Sequence, residues 1–202
     1  MGQIDAYLDA LASASPTPGG GSAATLVGAM GAALCAMVAR ITADAPRHLG
    51  VHAQAREIVE EADRLRERFA AARPLDEAAY GAVVTASGMP RRTDEEKRRR
   101  TDALQAALIG AAEAPLAAAG LCAEGAMLAQ RTLALGNTHL VSDVECAAHF
   151  FRAALAASAA NVRINHQYIG DESAVRDQSA RLAAIASHAH AAIDAVLAST
   201  TP

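Results

Sequence analysis

The sequence predicts an all-α protein, a single up-and-down bundle of long Ala-rich helices. Three observations carry this. Alanine, the strongest helix former, supplies 54 of the 202 residues. Aromatic residues make up only 3%, and strand formers are scarce beside alanine. Apolar residues recur at helical spacing almost throughout, with glycine and proline gathered into a few clusters. At 52% hydrophobic and a net charge of −4, the chain can bury a sizeable core and is not disordered. Its length fits one domain, 1–202, and no internal repeat interrupts it. The mild acidity argues against general nucleic-acid binding, which calls for a basic face.

The elements follow in order. Residues 3–13 read as a short first helix. Ser13 to Gly21 (SASPTPGGG) is the densest breaker cluster and must be a loop. A long helix runs from about Ser22 to Thr42, and Ala45-Pro46 ends it. A helix over about 48–72 carries solvent-facing charges at Arg56, Glu57, Glu60, Glu61, Arg64 and Arg66. Pro74 suits the first turn of the next helix, about 74–87, where its missing N–H loses nothing. Gly88 and Pro90 mark a connection. Thr93-Asp94-Glu95-Glu96 is a capping box that opens a helix to about 135, with a kink expected at Pro115. Gly136-Asn137 forms its stop, since both residues tolerate positive φ. Ser142-Asp143-Val144-Glu145 is a second capping-box pattern and opens a helix to about Tyr168. Gly170 stops that one, and a last helix covers about 172–198. Small side chains let helix axes approach closely, but each buries little apolar area. Such helices gain most when covered on several sides, which predicts a homodimer.

The Ala/Gly-rich run from Ala23 to Ala39 is shorter than the roughly 20 large apolar residues of a spanning helix. It is broken by Thr25, Gly28 and Gly31, and is read as a buried helix, with no membrane partner. Cys35, Cys122 and Cys146 are odd in number and lie far apart, without CxxC. They predict no disulfide framework and no zinc site, and each reads as a small core residue. The first ten residues carry Asp5 and Asp9 and no basic stretch. That is unlike a secretory signal and points to the cytoplasm.

The strongest chemical motif is Pro16-Thr17-Pro18-Gly19-Gly20-Gly21-Ser22, set directly before the buried helix. Glycine lets backbone approach a ligand closely, and a helix start offers unpaired N–H groups and partial positive charge. Gly19, Gly20, Gly21 and Ser22 are therefore candidates to bind an oxyanion, carboxylate or phosphate; the competing reading is a flexible linker. No lysine is present for a P-loop, and no strand precedes the glycines for a dinucleotide fingerprint. Asp76 and Asp143 both sit at expected helix starts. Each either complements a helix dipole or acts as a base or amidine anchor. Asn161 and Asn165 share one face of an apolar helix, which suggests a polar cleft. Arg91, Arg92, Lys97, Arg98, Arg99 and Arg100 form either a solvated helix face or a clamp for carboxylates. The histidines make no metal set: His188 and His190 point to different faces, and only His139 lies in a candidate loop. No metal is expected.

In this order, the pieces resemble the cyclodeaminase/cyclohydrolase family of folate enzymes. The resemblance covers about residues 3 to 170. It rests on Pro18-Gly19-Gly20-Gly21-Ser22, on Asp76 to Tyr80 (Asp-x-x-Ala-aromatic), and on Pro90 to Lys97 with Arg100. Gly136-Asn137 with Ser142-Asp143, and Asn161 to Asn165 (Asn-Val-x-Ile-Asn), complete it. Two positions depart. Arg91 stands where the family has lysine; it can clamp a carboxylate but cannot serve as a base. His139 stands where relatives often have a second asparagine, placing an imidazole in that loop.

The resemblance implies a folate substrate, with no metal or organic cofactor besides. The implied reaction is hydrolysis of 5,10-methenyltetrahydrofolate to 10-formyltetrahydrofolate. The alternative is cyclodeamination of formiminotetrahydrofolate with release of ammonia. A non-catalytic folate-binding or structural dimer is the competing class, and the Arg91 change is the feature that favours it. On this reading Asp76 and Asp143 share the roles of acid/base group and pterin anchor. Gly19 to Ser22 donate to substrate oxygens. Asn137 and Asn161 orient substrate or water, and Arg91 and Arg100 hold the glutamate tail.

Overall fold

A computed structural model describes residues 2–200. Among them are six α-helices and no strand: α1 (Gln3–Leu11), α2 (Gly20–Asp44), α3 (His52–Ser87), α4 (Asp94–Leu133), α5 (Val141–His166) and α6 (Glu172–Thr200). Short 3-10 turns, Pro46–Val51 and Thr138–Leu140, precede α3 and α5. The all-α expectation holds. α2 lies between α3 and α5, α4 backs them, and α6 packs on α4 and α5.

Local chemistry fixes most boundaries. α2 ends because Pro46 disfavours helical backbone at Ala45, which is extended (φ −86°, ψ 116°). At the start of α4, Glu96 N–H donates to Thr93 Oγ1 at 3.1 Å, and the Glu96 carboxylate accepts from Thr93 N–H at 3.0 Å. This is the expected capping box. Gly136 closes the turn after α4 with φ 73°, a conformation that glycine adopts without strain. Asn137 does not share it, with φ −80°.

Three expectations are corrected. Pro74 does not begin a helix; it lies inside the continuous 36-residue α3. A mid-helix proline frees the carbonyl four residues before it. Here that is Ala70, on the exposed side, where water can take the carbonyl. Ser142 does not cap α5. The Thr138–Leu140 turn runs straight into the helix, with Leu140 N–H already donating to Asn137 O, and Ser142 is exposed on the first turn. Cys35 and Cys122 are buried, and burial pushes their thiols up to about 12. Cys146 is exposed rather than a core residue.

The core is built from small residues around two rings. Phe69 of α3 and Phe151 of α5 are both fully buried and stack with centroids 6.4 Å apart. Each ring occupies space that a side chain would otherwise fill. A Cβ on Gly28 would lie 2.4 Å from Phe69 Cε1, and one on Gly125 would lie 2.2 Å from Phe151 Cε1. A Cβ on Gly31 would lie 2.9 Å from the same Phe151 atom. Gly28 and Gly31 of α2 and Gly125 of α4 therefore serve packing. α2, α4 and α6 are each long and apolar enough to cross a membrane by length and composition; in this fold they pack within the bundle.

One polar lock fastens α6. Gln178, 2% exposed, donates to Ile109 O at 3.2 Å and to Glu113 Oε1 at 2.8 Å, and accepts from His166 Nε2 at 3.0 Å. Arg181 holds Glu113 by two bonds, at 2.9 and 3.0 Å, and keeps its carboxyl below the usual range. A buried amide satisfied this completely resists displacement, since each broken bond would leave an unpaired polar group.

Candidate active site

A cavity of about 380 Å³ opens at the N-terminus of α2. That volume lies within the range of small-molecule sites. Its floor is the loop and helix start, Pro16, Thr17 and Gly19 to Gly21; α3 adds Asp76, Tyr80 and Val83. Leu108 and Ala111 come from α4, Asn161, Ile164 and Asn165 from α5, and Tyr168 from the turn after it. Asp76 is the one charged side chain among these lining residues.

The glycine run is explained by what touches it. Gly19 is the N-cap residue of α2 and has no side chain to cap with. Asp76 supplies the cap instead from α3, its carboxylate accepting from the Ser22 backbone N–H. Ala23 N–H makes the first bond of the helix, to Gly19 O at 3.0 Å. The N–H groups of Gly20 and Gly21 have no partner among the described residues, and both residues line the cavity. A Cβ on Gly21 would lie 2.3 Å from Asp76 Oδ1, so a side chain there would drive the carboxylate away. The linker reading fails on this point, because the loop is packed into a site.

Asp76 is half-buried, and its carboxyl lies above the usual carboxylate range. Burial is the main cause and the nearby Glu77 carboxylate the second, opposed by the bond from Ser22 N–H. A carboxyl with raised proton affinity is a better proton acceptor than an ordinary carboxylate.

The asparagine pair faces this cavity. Asn161 Nδ2 donates to Ala157 O at 2.9 Å. Asn165 Nδ2 donates to Asn161 O at 2.9 Å and to Ala111 O at 3.2 Å. The last bond has a cause in the sequence. Pro115 has no N–H for the carbonyl four residues before it, which is Ala111. Asn165 fills that gap and ties α5 to α4 at the cavity wall. The amide oxygens of both asparagines accept nothing from the described residues, which leaves two acceptors for a ligand.

Other expected site residues lie elsewhere in this chain. The buried Asn137 donates Nδ2–H to Thr42 Oγ1 at 3.0 Å, while its amide oxygen has no partner. Thr42 is 22 residues along α2 from Gly20, about 33 Å at 1.5 Å per residue. Asp143, on the first turn of α5, borders a separate groove with Met30, Ala33, Leu34, Met37, Cys146 and Phe150. Neither residue meets Asp76 within one chain. His139 is exposed and lines no cavity described here.

The basic cluster occupies the α3–α4 turn. Lys97 pairs with Asp94 and Arg99 with Glu95, both on the exposed surface. Arg100 Nε donates to Ser87 O at 3.1 Å and so caps the end of α3. Arg91 is exposed and makes no ion pair among the described residues. Neither Arg91 nor Arg100 lines the cavity, though both lie on the segment that joins two of its walls. Among the described residues no group of His, Cys, Asp and Glu is placed to hold a metal ion.

Sequence reasoning missed Tyr80, Val83, Leu108 and Ile164 as lining residues. Tyr80 had a signal, being four residues after Asp76 on the same helix face. The others are apolar residues among many, and only packing distinguishes them.

The chain matches the family model described as formiminotransferase-cyclodeaminase over residues 3–184. It is 36% identical over 188 residues to a methenyltetrahydrofolate cyclohydrolase of Methylorubrum extorquens, covering 93% of this chain and 90% of that protein. It is 29% identical over 169 residues to the formimidoyltransferase-cyclodeaminase of Rattus norvegicus. That match covers 84% of this chain but 31% of the rat protein, so the chain spans about a third of the longer relative. Among solved structures, a formiminotetrahydrofolate cyclodeaminase from Thermotoga maritima superimposes with a TM-score of 0.77 at 26% identity, covering 96% of both chains.

Proposed function

Because the chain belongs to the formiminotransferase-cyclodeaminase family, we propose that it hydrolyses 5,10-methenyltetrahydrofolate to 10-formyltetrahydrofolate in the Asp76 cavity. The observation that carries the reading is a lone carboxylate of raised proton affinity, set beside unpaired helix amides in a mostly apolar cleft. The similarity to a methenyltetrahydrofolate cyclohydrolase along nearly the whole of both chains supports the choice of reaction.

The substrate carries a cationic amidinium carbon between N5 and N10. An ionised Asp76 attracts that cation and takes a proton from the attacking water, whose oxygen bonds to the carbon. The Gly20 and Gly21 amides donate to that oxygen and hold it as it becomes the hydroxyl of a neutral carbinolamine. Asp76 then returns its proton to N5 as the carbon–N5 bond breaks. Loss of the hydroxyl proton completes the formyl group on N10 and accounts for the one proton released. The amide oxygens of Asn161 and Asn165 offer acceptors for N–H groups of the pterin. Arg91 and Arg100 lie beyond the cavity's α3–α4 wall; Arg100 is eight residues, about 12 Å, from Leu108. They offer positive charge to an extended glutamate tail. The folate is the substrate, and this chemistry uses no further cofactor.

Cyclodeamination is the second reading, favoured by the likeness to the Thermotoga maritima cyclodeaminase. The same carboxyl would then protonate the departing nitrogen. Two assays separate the readings: loss of near-UV absorbance from methenyltetrahydrofolate, and ammonia release from formiminotetrahydrofolate. Hydrolysis of the first, at a rate well above the spontaneous one, supports the proposal. Ammonia from the second without that hydrolysis replaces it.

The reading includes a homodimer formed through the α2/α5 groove. Met30, Met37 and Ile41 of α2 are 46%, 36% and 45% exposed, and with Ala33 and Leu34 they form a stripe at helical spacing. A second copy of the same stripe, related by a two-fold axis, is a natural cover for it. Only such a partner could bring Asp143 towards another chain's cavity. We expect sedimentation equilibrium to give twice the 20.7 kDa chain mass, and Met37→Glu to give the chain mass alone. If the site is shared, mixing Asp76→Asn with Asp143→Asn subunits restores activity that neither has. A monomeric wild type removes both the dimer and the role of Asp143.

A further inference from the structure

We propose that Glu77, which lines no part of the cavity, is a positioning residue for Asp76, acting through a hydrogen-bond chain with Ser22 and Tyr7. The inference rests on the reading of Asp76 as the acid/base group. Ser22 is fully buried and donates its hydroxyl proton to Glu77 Oε1 at 3.1 Å. A hydroxyl has one proton, so the 3.0 Å contact between Tyr7 OH and Ser22 Oγ must have tyrosine as the donor. The chain therefore has one direction, from Tyr7 through Ser22 to Glu77, and it ends on a carboxylate oxygen that accepts.

Two effects on Asp76 follow. The hydroxyl anchor fixes Ser22, whose backbone N–H holds the Asp76 carboxylate. Glu77 also stands beside Asp76 as a like charge, the second cause, after burial, of its raised proton affinity. Little else could set the charge there. α1 contributes Tyr7, whose ring carries the Arg73 guanidinium 5.5 Å from its centroid. α2 contributes no charged group to the cavity, α4 only apolar residues and α5 only Ile164 and the two amides; Tyr80 of α3 and Tyr168 of the turn after α5 complete the titratable set. The chain also gives α1 a purpose. That helix buries none of its residues, and Tyr7 joins it to the site.

The test uses Glu77→Gln, whose amide oxygen still accepts from Ser22 but carries no charge, with Glu77→Ala, which removes the acceptor. Carbon-13 NMR follows the Asp76 carboxyl in titration, assigned by its loss in Asp76→Asn, beside pH profiles of methenyltetrahydrofolate hydrolysis. The expected result is that Glu77→Gln moves the Asp76 titration and the acid limb of kcat to lower pH together, with KM within about twofold. Glu77→Ala lowers kcat on the order of tenfold through misplacement, and Glu77→Gln regains most of it. Superimposable Asp76 titrations in wild type and Glu77→Gln overturn the proposal whatever the activity. A wild type inert on both folates defeats the assignment of function instead, and the titration still decides the role of Glu77.

Discussion

Asp76→Asn should reduce kcat for methenyltetrahydrofolate by about 10²- to 10⁴-fold, the range for loss of a positioned acid/base group. The substitution keeps size and shape and leaves an oxygen to accept from Ser22 N–H. KM should rise as well, because the amide no longer attracts the cationic substrate, but by less than kcat falls. Stability is expected to move in the opposite direction. The raised proton affinity of Asp76 means that the folded chain prefers the neutral carboxyl more than the unfolded chain does. This contribution favours folding at low pH and is lost as pH rises through the carboxyl's folded value, so at neutral pH the ionised side chain opposes folding. A neutral asparagine removes that opposition. We expect thermal unfolding of Asp76→Asn at pH 7 at or above the wild-type temperature, with the difference vanishing in acid. Full turnover in this variant would remove Asp76 from the chemistry. Lost turnover with a lowered unfolding temperature would instead make it a structural cap.

Phe151→Ala should destabilise the fold by about 3–5 kcal/mol, the usual cost of emptying a fully buried aromatic position. The upper part of that range is expected for a structural reason. Gly31 and Gly125 pack on the ring, and neither has a side chain that could turn into the void. Phe69, 6.4 Å away, loses its stacking partner as well. For a chain of this size the cost corresponds to a fall in Tm of roughly 10 °C. Calorimetry or urea titration measures it. A loss below about 1 kcal/mol would mean that the helices close over the gap, contrary to the packing described.

The two proline positions show how far local signals reach. Pro74 and Pro115 each interrupt a helical hydrogen-bond ladder, the first in α3 and the second in α4, and each lies inside a continuous helix. At Pro74 the freed carbonyl belongs to an exposed residue; at Pro115 it is taken by Asn165, which has a second role in the cavity wall. Nothing near either proline in sequence reveals what will accept the carbonyl's partnership. Likewise the Asp76–Gly21 contact joins positions 55 residues apart, and the Ser22–Glu77 bond spans the same distance. The motifs could be found singly, but their meeting depends on how α3 lies along α2.

The helical fold, the Thr93 cap, the glycine turn after α4 and the family resemblance were legible in the residues, because propensity, capping and turn chemistry act over a few neighbours. Which motifs share a site was a tertiary decision. A helix rises a fixed distance per residue, so the length of α2 puts the triglycine end and the Asn137 end about 33 Å apart. Asp76, Asn161 and Asn165 gather at the first, while Asn137 packs at the second and Asp143 borders a separate groove.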